Sequence, residues 1–345
     1  METAWFIILT VMLAMYVVLD GFDFGVGMVY PFVARTETER RTALTSIGPV
    51  WNANEVWLIA AAAVLFFAYP KAYAAGFSGF YLALILVLWL LIFRGLALEL
   101  RTQVDHVLWR QAWDRAFTTS SLLLAMVFGT ALGNLIRGVP LNREGYFFVP
   151  FWTDFRPGSD PGILDWFTIL IGLTSVVILA FHGANYLVVK TEGVLYQRAV
   201  SIAWILGWVS AGCTALTVVA VPMVQPNLSL NFSRHPVVYL APVIGVIVLG
   251  YSLYFRLRRR DISAFVASCV FIFLMLVSVM FGMYPYILVS TTDLAFSLTV
   301  FNAATDSYGL TSGIVWFAGG FLLILAYQIY LYFQFRGKTR LDDAH

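Results

Sequence analysis

Long apolar blocks, separated by short polar or proline-bearing segments, recur from one end of the chain to the other. Nine can be drawn, approximately over 4–33, 51–69, 76–99, 117–136, 163–189, 199–221, 237–255, 262–288 and 310–335. A helix needs about 20 apolar residues to cross a hydrocarbon core, and the blocks have that length. They lack the alternating polarity of outer-membrane barrel strands. The pattern predicts an all-α integral membrane protein of nine transmembrane helices in a single membrane domain, 1–345. Two four-helix bundles plus one peripheral helix is a reasonable grouping. Pro70, Pro140, Pro161, Pro222 and Pro236 stand at or near block ends, where a missing N–H is tolerated.

Composition supports this reading. Of 345 residues, 61% are hydrophobic and 12% charged, with a mean hydropathy of +0.83. A soluble domain carries about 25% charged residues. The start, METAWFIILT, has neither a basic leader nor a small-residue cleavage site, so it reads as a retained first helix. A net charge of +2 gives no reason to expect a nucleic-acid partner. Cys213 and Cys269 both lie in apolar spans and read as small buried hydrophobes, not a disulfide or a metal pair.

Basic residues set the expected orientation. Fifteen follow the odd-numbered spans: Arg35, Arg40, Arg41, Arg101, Arg110, Arg115, Lys190, Arg198, Arg256, Arg258, Arg259, Arg260, Arg336, Lys338 and Arg340. Only five lie in the other loops: Lys71, Arg137, Arg143, Arg156 and Arg234. Basic-rich loops stay in the cytoplasm. The N-terminus is therefore expected outside and the C-terminus inside, which requires an odd number of spans.

A charge in mid-bilayer costs about 2.5–3.5 kcal/mol on insertion scales, so charges there are few and functional. Asp20 and Asp23 fall in the inner half of span one. Asn52, Asn54 and Glu55 open span two. Arg94 and Glu99 lie toward the inner end of span three, and His182 and Asn185 in the inner half of span five. Spacings of three or four place Asp20 with Asp23, and Asn52 with Glu55, on shared helix faces. Asp23 or Glu55 is the expected partner of Arg94. Such a set suits a proton or ion path from the cytoplasmic loops inward; its plainer reading is an ion-pair network fixing helix registry. Gly21 and Gly25 form a small-xxx-small pattern that permits close helix approach. No strand precedes them, which argues against a dinucleotide loop. Of the four histidines, only His182 lies inside a span, so a bis-histidine haem has no second ligand here. No metal site is expected in the chain.

The blocks LDGFDFGVGM (19–28), TERRTALTSIGPVWNANEVWLI (38–59), YAAGFSGFYLALILVLWLLIFRGLALELR (73–101) and FHGANYLVVKTEG (181–193) resemble subunit II of cytochrome bd-type quinol oxidases. The resemblance continues through GMYPYILVS (282–290) and SLTVFNAATDSYGL (297–310). It implies a subunit I partner that carries the quinol site and haems b558, b595 and d. It also implies quinol oxidation coupled to dioxygen reduction to water in aerobic respiration, with protons taken from the cytoplasm, and a place in a bacterial or archaeal cytoplasmic membrane. Small single-helix accessory subunits, the quinol pool and membrane lipid are the other implied partners. In some members subunit II holds a bound quinone or lipid. Asp23, Trp51 and Arg94 match the family's intramembrane Asp, Trp and Arg. The position after that Trp is usually Asp, the suggested proton entry of this subunit; here it is Asn52, which cannot carry charge. Glu55 or Glu99 then substitutes, or entry runs mainly through subunit I. The expected polar network is Asp20, Asp23, Trp51, Asn52, Glu55, Arg94, Glu99 and His182, with no catalytic residue assigned. An ion-coupled transporter and a purely architectural subunit are the competing readings.

Overall fold

The computed structural model describes residues 1–339; Arg340 and His345 lie outside the described residues. In chain order the helices are α1 (Glu2–Val33), α2 (Glu37–Ile47), α3 (Trp51–Ala68), α4 (Pro70–Gly79), α5 (Tyr81–Leu100), α6 (Val107–Arg137), α7 (Trp166–Lys190), α8 (Gly193–Val224), α9 (Pro226–Arg234), α10 (Leu240–Leu257), α11 (Asp261–Met283) and α12 (Ser307–Gln334). Among the described residues, nine helical segments are long and apolar enough to cross a membrane: α1, α3, α5, α6, α7, α8, α10 with its preceding turn, α11 and α12.

Several boundaries differ from the hydropathy reading. The third apolar block is divided at Phe80, so α4 ends before the span α5 begins. Hydropathy averages across such a break because both sides are apolar. The eighth block stops being helical at Met283; Tyr286–Leu288 forms β1, antiparallel to β2 (Leu298–Thr299). The fourth span begins ten residues early, at Val107, because a charged first part continues the apolar helix.

Side-chain caps fix several starts. Thr36 and Glu39 form a reciprocal capping box on α2, with the Glu39 N–H donating to Thr36 Oγ1 at 3.2 Å and the Thr36 N–H to the Glu39 carboxylate at 3.0 Å. Asp165 caps α7 and Asp306 caps α12.

α1 is the central element. It packs on α3, α6, α7, α8 and α11, and every residue from Asp20 to Tyr30 is buried. Its crossing with α7 is a backbone contact at Gly25 and Gly183. A Cβ on Gly25 would strike the Leu179 carbonyl and the Gly183 backbone, and one on Gly183 would strike Gly25. Only two glycines allow that approach. Beyond α1, α3 runs beside it, α5 packs on α6, α7 on α8, and α10 on both α11 and α8.

The last helix is attached differently. α12 is the least buried of the nine spans and has few close backbone approaches to other elements. Large side chains join it to the rest. Trp5 Nε1 donates to the Leu310 carbonyl at 3.0 Å, Phe317 lies 5.6 Å from Trp5, and Phe321 lies 6.1 Å from Trp57.

Candidate functional site

The intramembrane acids and Arg94 converge in one pocket around the middle of α1. Arg94 is fully buried on α5. Its Nη1 donates to Asp20 Oδ1 at 2.6 Å and its Nη2 to Asp20 Oδ2 at 3.2 Å, a two-pronged pairing. Glu55 is a longer partner, 3.6 Å from Nη2. The guanidinium also lies 4.6 Å from the Phe24 ring and 5.9 Å from the Trp51 ring.

The expected Arg94 partner is corrected in part: Glu55 is one, but Asp20 holds the arginine and Asp23 does not. Residues three apart on a helix are offset by about 60° around its axis. Asp20 thus faces α5, while Asp23 turns to α3 and α12. Asp23 Oδ2 accepts from Asn54 Nδ2 at 2.9 Å, and the same Nδ2 donates to the Leu19 carbonyl at 3.1 Å. Asn54 Oδ1 in turn accepts from Gln328 Nε2 and from the Tyr332 hydroxyl, each at 2.9 Å.

Three buried polar atoms here, Tyr16 Oη, Asp23 Oδ1 and Arg94 Nε, make no protein hydrogen bond of ordinary geometry, although Tyr16 and Asp23 both interact with the Asp20 carboxylate. Buried polar atoms are rarely left unpaired, and ordered water is the usual satisfier. Glu55 keeps 21% of its side chain exposed while Asp20 keeps none, so Glu55 links the pocket to the surface of the chain.

His182 belongs to an adjacent layer. Its Nε2 lies 3.0 Å from the Val18 carbonyl and its Nδ1 2.7 Å from Ser268 Oγ, with the ring stacked on Phe265. A carbonyl can only accept, so Nε2 carries the hydrogen. Both nitrogens are occupied, which leaves none for a haem iron. Asn185 does not join the acids; its Oδ1 accepts from Arg256, which also pairs with Asp261 at 2.8 Å.

Two expected members stand apart. The side chains of Asn52 and Glu99 are exposed on the chain's surface. Asn52 points away from the acids although its neighbours Asn54 and Glu55 reach them. Trp51 flanks Arg94 and also packs against Gly95.

Sequence reading passed over Gln328 and Tyr332, because one amide and one phenol in an apolar helix give no hydropathy signal. It also passed over a second buried cluster toward the basic-loop end. There Asp114 accepts from Tyr30 at 2.5 Å, Arg101 Nε at 2.6 Å and Arg40 at 2.9 Å, while Arg101 also holds Glu37 at 2.9 Å. An acid three residues before the expected start of span four was the available signal.

Comparison with known proteins agrees with this architecture. The family model described as "Cytochrome bd terminal oxidase subunit II" matches residues 1–335. Cytochrome bd-I ubiquinol oxidase subunit 2 of Escherichia coli (strain K12) is 31% identical over 366 residues, covering 98% of this chain and 95% of the relative. Cytochrome bd ubiquinol oxidase subunit 2 of Bacillus subtilis (strain 168) is 32% identical over 339 residues, covering 97% and 96%. A chain of the solved bd oxidase from Geobacillus thermodenitrificans superposes with a TM-score of 0.75 at 17% identity, covering 96% of this chain and 98% of that one, which establishes a shared fold. With a family match over nearly all of its length, this multi-pass membrane protein belongs to the cytochrome bd terminal oxidase subunit II family and is a subunit of a bd-type quinol oxidase, an oxidoreductase complex.

Proposed function

We propose that this chain is the non-haem-ligating subunit of its oxidase and that its buried acids hold and pass protons for oxygen reduction carried out in the partner subunit. Haems b558, b595 and d then belong to subunit I, where quinol is oxidised and dioxygen reduced to water. The residues here do not fit a haem-iron site: the one intramembrane histidine already uses both ring nitrogens.

The observation that carries the proton role is the composition of the pocket. An architectural ion pair needs only Arg94 and Asp20. The pocket also contains Asp23, Glu55 and Tyr16, with three buried atoms still able to bind water. Titratable groups within reach of one another, directly or through one water, are what proton transfer requires. Glu55, partly exposed, is the entry residue in this reading, since Asn52 is uncharged and turned outward. Glu99 faces away from the pocket and drops out of the path.

The reading places the N-terminus outside and the C-terminus in the cytoplasm, supported by fifteen basic residues against five. The acids then lie in the cytoplasmic half of a cytoplasmic membrane. It groups α1, α3, α5 and α6 in one four-helix bundle, α7, α8, α10 and α11 in a second, and α12 as the peripheral helix of a single membrane domain. A cavity of about 570 Å³, lined by Ile171, Thr174, Thr217, Phe271 and Met275 among others, suits a bound isoprenoid quinone tail or lipid chain. Small single-helix subunits would join at the exposed apolar helix faces.

The test is Asp23→Asn in the purified complex. Oxygen reduction slows by about tenfold or more while haem content stays normal. Unchanged turnover in a fully assembled complex would remove Asp23 from the path.

A further inference from the structure

We propose that the loop between α6 and α7 carries an interfacial lipid anchor: the exposed rings of Phe151, Trp152 and Phe155, with Trp166 at the start of α7, lie in the headgroup region of the membrane. The anchor is independent of the proton path.

The loop buries part of its apolar content and turns the rest outward. Phe147 and Val149 are buried, and the Phe147 ring meets Phe80 edge-on at 5.1 Å, where α4 gives way to α5. Phe151, Trp152, Phe155 and Trp166 are instead 44–59% exposed. Rings of this size are costly to leave in water, and a cluster of them on a surface marks a site of attachment.

Backbone hydrogen bonds fix the depth of the cluster. The Ile163 N–H donates to the Pro150 carbonyl at 2.8 Å, that of Leu164 to Phe151 at 3.0 Å and that of Trp166 to Phe155 at 3.2 Å. Gly162 lets the two segments touch, since a Cβ there would lie 2.6 Å from the Trp152 backbone. The rings are thus held level with the first residue of α7. That helix has 25 residues, about 37 Å of length at about 1.5 Å per residue, against about 30 Å of hydrocarbon. Its ends therefore reach into the interfacial zone, where amphipathic tryptophan rings settle.

Two further observations favour lipid as the occupant. Trp166 and Leu173 are seven residues apart on α7, so their exposed side chains lie on one helix face. The ring cluster thereby continues into the apolar flank of a membrane-spanning helix. Phe155 takes a left-handed backbone conformation, φ 58°, which a bulky residue seldom adopts. That turn does not bring the ring into the core; it leaves it half exposed, so what the ring gains lies outside the chain. The neighbouring charges are mixed, Asp154 and Asp160 with Arg156, so the surface suits zwitterionic headgroups and needs no anionic lipid.

Tryptophan fluorescence of the whole oxidase complex in phosphatidylcholine nanodiscs tests the proposal. The Trp152 signal is the difference in emission between the unmodified complex and Trp152→Phe, which keeps an aromatic ring. With lipid brominated in the upper acyl chain this difference is lost, while iodide in the water leaves most of it. A difference signal quenched by iodide and not by brominated lipid would put the rings in water and overturn the proposal. One quenched by neither would mean that another polypeptide covers them, which overturns it equally. If Trp152→Phe does not assemble, Phe151→Trp adds an emitter at the same level, and the added signal is read in the same way.

Discussion

Arg94 and Asp20 form a two-pronged, completely buried ion pair between α5 and α1, with oxygen–nitrogen distances of 2.6 and 3.2 Å. Breaking such a pair from one side leaves an uncompensated charge, which costs about 3–5 kcal/mol. Arg94→Leu is therefore expected to lower the melting temperature sharply and reduce the yield of assembled complex. Arg94→Leu with Asp20→Leu removes both charges and recovers most of the stability, while turnover stays low. Thermal melts and haem content of the three proteins check this. A double variant as unstable as the single would show that the pocket needs the charges for packing.

The close crossing of α1 and α7 separates two neighbouring glycines. A Cβ at Gly25 meets backbone atoms of Leu179 and Gly183, which cannot rotate away. At Gly21 the nearest obstacle is Leu179 Cδ2 at 2.8 Å, the end of a flexible side chain. Gly25→Ala is expected to cost about 1–3 kcal/mol, and Gly21→Ala clearly less. Equal melting temperatures for the two variants would contradict the backbone contact.

His182 is predicted to be silent in the haem spectrum. His182→Leu removes the bonds to Val18 and Ser268 and should lower stability by about 1–3 kcal/mol. Ser268 still has the Phe265 carbonyl as an acceptor at 2.7 Å. The reduced-minus-oxidised optical bands of the assembled complex should not change. Loss of one band at full assembly would make His182 a ligand after all.

Acid sensitivity should appear first at α2. Burial pushes the half-buried Glu39 carboxyl up, but the Thr36 and Arg35 N–H groups and the Arg198 guanidinium outweigh it and hold it below the ordinary glutamate value of 4.5. A lowered value in the folded protein contributes stability that is complete above about pH 4.5 and is lost as pH falls through the folded value. Amide exchange in residues 36–47 should therefore accelerate as pH drops below that point, after correction for intrinsic rates. Glu39→Ala should exchange fast at every pH. A wild-type segment with no such acid step would show that the cap contributes nothing.

How much was legible depended on the kind of signal. The apolar blocks and the loop arginines are properties of the chain itself, so the nine spans and their predicted orientation could be read without coordinates. Asp20, Asp23, Glu55 and Arg94 stood out because each is costly in a membrane helix. Their pairing was less accessible: Glu55 was foreseen as a partner of Arg94, but Asp20 was not. Residues three apart share a face only roughly, and the offset was enough to send Asp20 to α5 and Asp23 to Asn54. Asn52 was expected in the network and Asn54 was not, yet Asn52 is exposed and Asn54 completely buried against Asp23.

The sequence by itself determined nine apolar segments long enough to cross a membrane and a few expensive charges within them, because hydrophobic length and charge cost are local quantities. Tertiary structure alone decided which charges meet, that two glycines let α1 and α7 touch, and that Gln328 and Tyr332 reach Asn54 from 274 and 278 residues away along the chain. Those outcomes depend on helix rotation and crossing position. Both are set by packing among all the helices at once, and no single segment encodes them.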